Sequence, residues 1–80
     1  MIRQKRPALI LSFDSTAQAL AAEALFTEKG LAGRMIPIPA QISAGCGLAW
    51  KSEPSLKQPL LDALSQARYG YAGCSIVEMF

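Results

Sequence analysis

Cys46 and Cys74 carry the only thiols of a chain that contains no histidine, so they are its only soft, nucleophilic side chains. A thiolate is a strong nucleophile, and lowering the thiol pKa favours its chemistry near neutral pH. The two cysteines stand in different settings. Cys46 lies in Gly45-Cys46-Gly47, where neighbours without side chains leave room for a partner molecule and expose backbone N–H groups. Cys74 precedes Ser75-Ile76-Val77 and reads as a small hydrophobe within a strand. For Cys46 a reactive role and a packing role both stay open on composition alone.

Other chemistries find little support. Two cysteines and no histidine argue against a closed zinc site within one chain, and no metal is expected. The absence of a paired-carboxylate motif or phosphate loop argues against an independent hydrolase or transferase, and no cofactor is expected. Tyr69, Tyr71 and Trp50 have faces on which a ligand could stack, but core or interface packing is the stronger expectation for aromatic residues in a small domain.

Eighty residues, 51% hydrophobic and 18% charged, predict a single domain spanning 1–80 with one core. No apolar run approaches the roughly 20 residues of a membrane-spanning helix. The formal net charge of +2 is small, and only Arg3, Lys5 and Arg6 cluster, so no nucleic-acid-binding stripe emerges. The opening residues resemble the front of a signal peptide, but the apolar run from Pro7 to Phe13 is short and leads into Asp14 and Ser15, so no export signal is expected. Free thiols then imply a reducing, cytoplasmic setting.

The elements that must position Cys46 follow from pattern. Ala8–Phe13 is a short apolar run that suits a buried central strand. Ser15 followed by Gln18 is a capping-box spacing that opens a helix over Thr16–Lys29, ended by Gly30. Asp14, Ser15 and Thr16 thus read as turn and cap. The helix's five alanines blur its apolar face, and Phe26 with Ala19 and Ala22 is the preferred buried stripe over Leu20 with Ala17 and Ala24. Gly33–Ile38 predicts a second strand at a sheet edge, because Pro37 and Pro39 cannot donate to a ladder. Pro37, Pro39 and Ile42 shape the loop that leads to a third strand at Gly47–Lys51, with Leu48 and Trp50 on one face. Leu56, Leu60, Leu64 and Ala67 fall at helical spacing, and after a turn at Pro54 a second helix is expected to begin near Pro59, with Gly70 closing it. Gly73–Phe80 is the fourth strand.

This order is that of the ferredoxin-like βαββαβ sandwich, an α+β fold with a four-stranded antiparallel sheet and two helices on one face. Right-handed crossovers place strands one and three in the middle. Cys46 then sits near the end of the first strand and the start of the first helix, whose partial positive charge favours a thiolate. Cys74 comes to the same end on the other side of the first strand. Two interstrand spacings put the α-carbons about 9–10 Å apart, beyond the roughly 7 Å reach of a disulfide.

The string Ile36-Pro37-Ile38-Pro39-Ala40-Gln41-Ile42-Ser43-Ala44-Gly45-Cys46-Gly47-Leu48-Ala49 resembles the signature of a small bacterial family described as selenium/sulfur carrier protein-like. The family's Ser/Thr-bearing turn is matched by Phe13-Asp14-Ser15-Thr16, its central helix glutamate by Glu23, and its Pro-x-Pro leading through Ile-Ser to Cys-Gly is present in order. The match is clearest from Ala8 to Lys51 and looser through Phe80. The resemblance implies that Cys46 bears a persulfide or selenide, with Phe13, Ser15, Thr16, Ser43, Gly45 and Gly47 around it, and that donor and acceptor proteins are the partners. The second edge strand, Gly33–Ile38, is a candidate docking edge for them. A rival reading from the same fold is a non-catalytic interaction or small-ligand-binding module, a homodimer among its forms, in which Cys46 only packs. Thiol-based redox sensing ranks last, since it needs an intermolecular partner.

Overall fold

The computed structural model describes residues 6–39, 42 and 47–79. Four strands, β1 (Arg6–Ser12), β2 (Arg34–Pro37), β3 (Leu48–Ser52) and β4 (Gly73–Met79), form one antiparallel sheet in the order β2-β3-β1-β4. Two helices, α1 (Thr16–Glu28) and α2 (Lys57–Ala67), complete the expected βαββαβ order. The architecture is the ferredoxin-like two-layer sandwich predicted from the sequence.

Sheet register explains why β1 reads as an unbroken apolar run. Leu9 and Leu11, with Phe13 just beyond the strand, join Trp50 and the helix residues Ala19, Ala22, Phe26, Leu60, Ala63 and Leu64 in the main core. Ala8 and Ile10 point the other way and are buried with Ala49. A central strand covered on both faces has no polar side to alternate.

In α1 the buried side chains are Ala19, Ala22 and Phe26, the predicted stripe, while Leu20 is exposed. The alanines allow close approach to the sheet. Phe26 packs on Trp50 with ring centroids 5.2 Å apart and planes tilted by 53°, within the range that aromatic pairs favour. Beyond the helix, Gly30 N–H donates to Thr27 C=O and Leu31 N–H to Phe26 C=O, with Gly30 at φ +70°. This Schellman ending uses glycine where a left-handed residue is needed.

The second helix departs from expectation at both ends. A single 3₁₀ turn, Pro54–Leu56, runs directly into Lys57, two residues before Pro59. Pro59 is tolerated because first-turn N–H groups have no partner within the helix. At the other end the same Schellman pattern recurs with Arg68 N–H on Ser65 C=O and Tyr69 N–H on Leu64 C=O. Arg68, not Gly70, takes the left-handed conformation, at φ 59° and ψ 36°.

Candidate functional site

The end of the sheet where β1 finishes, α1 begins and β3 starts is built by short-range hydrogen bonding. Ser12 pairs with Ala49 at the last position of the β1–β3 ladder. Beyond it the chain turns through Asp14 into α1, with Ser15 in extended conformation as the N-cap. The Ser15 hydroxyl accepts the Gln18 N–H at 3.1 Å, and Gln18 Oε1 accepts the Asp14 N–H at 2.8 Å. This is the predicted capping box with its return arm moved one residue outward.

The candidate surround therefore divides by role. Phe13 is fully buried in the core, so its ring holds the sheet end in place. The Ser15 hydroxyl is engaged in capping, and Thr16 is exposed at the first helical position. Gly47 is exposed, has φ +78°, and its carbonyl accepts the Ile38 N–H at 2.9 Å. Ser43, Gly45 and Cys46 lie outside the described residues, as does the spacing between Cys46 and Cys74.

One described loop residue shows how the β2–β3 connection meets the sheet. Ile42 N–H donates to Pro39 C=O at 2.9 Å. Its side chain, with Ile36, Ile38 and Val77, packs on Ala8, Ile10 and Ala49. The face without helices is thus covered in part from this loop. Sequence reasoning treated Ile42 only as a shaping residue; the signal was the recurrence of isoleucine at 36, 38 and 42.

On the other flank of β1, Ala72 N–H donates to Ser12 C=O at 2.7 Å and the Ser12 hydroxyl to Gly73 C=O at 3.3 Å. A β-carbon on Gly70 would lie 3.1 Å from Gln18 Nε2, so the α2–β4 turn closes against the start of α1. Tyr69 and Tyr71 on either side of it are 42% and 39% exposed. Trp50, by contrast, is buried, and its Nε1 has no hydrogen-bond partner among the described residues.

Cys74 pairs opposite Leu11 and packs against the main core, in keeping with its reading as a small hydrophobe. Burial pushes its thiol pKa up, and the Lys57 charge opposes that effect in part. Such a thiol is a poor nucleophile at neutral pH.

A family model described as "Putative Se/S carrier protein-like" matches residues 8–76. The chain belongs to this family. The matched span takes in all of the candidate site of this Se/S carrier protein-like chain, Cys46 included. No curated protein and no solved structure matches it. Among the described residues of this family member, no helix is long and apolar enough to cross a membrane.

Proposed function

We propose that this chain is a sulfur or selenium carrier that works in the cytoplasm as a single domain and uses Cys46 as the bearing thiol. The observation that carries the reading is the family match over residues 8–76. Two further features support it: Gly47, next to Cys46 in the chain, stands at the sheet end where α1 begins, and Cys74 is engaged in packing.

In the reaction the Cys46 thiolate attacks the terminal sulfur of a donor persulfide, R–S–SH. A sulfur–sulfur bond forms to Cys46 as the donor's own breaks, giving Cys46–S–SH and the donor thiolate R–S⁻. An acceptor thiolate then takes the terminal sulfur and restores the Cys46 thiolate. Electrons balance without an external oxidant, and a selenium atom in the terminal position follows the same course. Gly47, the next residue in the chain, stands at the sheet end where α1 begins, and the helix dipole there is the proposed source of thiolate stabilisation. The surround proposed for it is Phe13, Ser15, Thr16, Ser43, Gly45 and Gly47: Phe13 and Ser15 hold the turn, and the glycine neighbours in the sequence bring no side chain beside the thiol.

The test is the pH dependence of alkylation by iodoacetamide, followed residue by residue by mass spectrometry. Cys46 should react at neutral pH with a midpoint below that of an ordinary thiol, and Cys74 should react slowly in the folded protein. A Cys46 rate that rises only above the ordinary thiol range would count against the carrier reading.

A further inference from the structure

The two outer edges of the sheet are unlike. β2 is four residues long, carries exposed Arg34 and ends on Pro37, which has no N–H to offer a neighbour. Short length, charge and proline all blunt an edge. β4 is seven residues long, holds unbroken register with β1 from Arg6↔Met79 to Ser12↔Gly73, contains no proline, and has Glu78 as its one charge. Its midpoint, Ile76, is 52% exposed. An edge of this kind is a template for a further strand.

We propose that β4 pairs antiparallel with β4 of a second copy about a twofold axis at Ile76, making a homodimer with a continuous eight-stranded sheet. That register sets Ile76 against Ile76, Ser75 against Val77, Cys74 against Glu78 and Gly73 against Met79, so every residue of the strand is paired. The exposed isoleucines cover each other.

Charge is what selects a second copy as the occupant. Cys74, Ile76 and Glu78 lie opposite Leu11, Leu9 and Pro7, all on the side of the sheet that carries the helices. Lys57, at the start of α2, is close enough to Cys74 to act on its thiol electrostatically. Glu78 of the second copy, placed opposite Cys74, comes within range of Lys57, and the symmetry repeats this attraction at the other end. An axis at Ser75 instead leaves Glu78 and Met79 beyond the pairing, and an axis at Val77 sets Glu78 against Ile76. Interfaces of standard size bury roughly 800 Å² per partner. A single pair of seven-residue strands offers less, so the dimer should be concentration-dependent.

Sedimentation velocity of the full chain under reductant, from micromolar to millimolar concentration, tests this. The wild type should pass from monomer to dimer. Glu78→Lys and Lys57→Glu should each raise the dimer dissociation constant about tenfold at low salt. The double variant should return it to near the wild-type value, and Ile76→Lys should be monomeric. Circular dichroism of each variant checks that it is folded; the two charge variants alter exposed side chains and keep the test independent of Ile76→Lys. A wild type that stays monomeric throughout, a dimer indifferent to the single charge reversals, or a double variant that adds the two losses would overturn the proposal.

Discussion

The Ile38 N–H donates to the Gly47 carbonyl at 2.9 Å, one step beyond the Pro37–Leu48 pair, and so closes the neck of the connection between β2 and β3. Gly47 meets this bond at φ +78°, and among the described residues nothing lies within 4 Å of where a β-carbon would be. The positive φ is itself a demand for glycine.

Gly47→Ala should cost about 1 kcal/mol, the strain of a β-carbon at positive φ. Urea denaturation should show a lowered midpoint with unchanged slope. Gly47→Asn, which tolerates that conformation, should recover part of the loss.

Gly33 makes a different demand. A β-carbon there would fall 2.5 Å from Trp50 Nε1 and 2.6 Å from the Lys51 carbonyl, and φ is +150°. The carbonyl cannot move without opening the β2–β3 ladder, in which Lys51 pairs with Arg34. Gly33→Ala should cost about 3 kcal/mol, more than Gly47→Ala, by adding overpacking to backbone strain. Loss of near-ultraviolet circular dichroism from Trp50 should accompany it.

Arg68 holds the left-handed position at the end of α2 that Gly30 holds at the end of α1. Arg68→Gly should stabilise the fold by about 0.5–1 kcal/mol, because glycine takes this conformation without the penalty its β-carbon imposes. Thermal unfolding should shift upward by a few degrees.

The Cys74 thiol is shifted above its ordinary value of 9.0, first by desolvation, with Lys57 acting in the opposite sense. The folded state thus retains a proton that the unfolded state has begun to lose. Its contribution to stability is fully present below pH 9.0 and declines as pH rises through the folded value. Stability measured across that window should fall less steeply in Cys74→Ala than in the wild type.

Much of this was legible in the sequence. The Ala8–Phe13 run suited a buried central strand, and the stripe preferred for α1, Phe26 with Ala19 and Ala22, is the buried one, although its alanines left periodicity alone unable to choose. Ser15 and Gln18 marked the helix start through their hydrogen-bonding chemistry. Boundaries set by tertiary contact were less visible. Gly33 was expected in the second strand but lies outside it, pressed on Trp50, and Gly70 drew the helix end past Arg68. The placement of Phe13, Ser15 and Gly47 at one sheet end follows from strand order. What Ile38 and Ile42 cover does not: the recurrence of isoleucine at 36, 38 and 42 marks them as apolar without saying which face of the sheet they meet.

The carrier reading is tested most directly by intact-mass analysis of protein isolated anaerobically, before and after reductant, for wild type and Cys46→Ser. A reductant-labile increment of one sulfur or one selenium atom, present in the wild type and missing from Cys46→Ser, is the expected result. An unmodified wild-type mass, or an increment that survives Cys46→Ser, would contradict it.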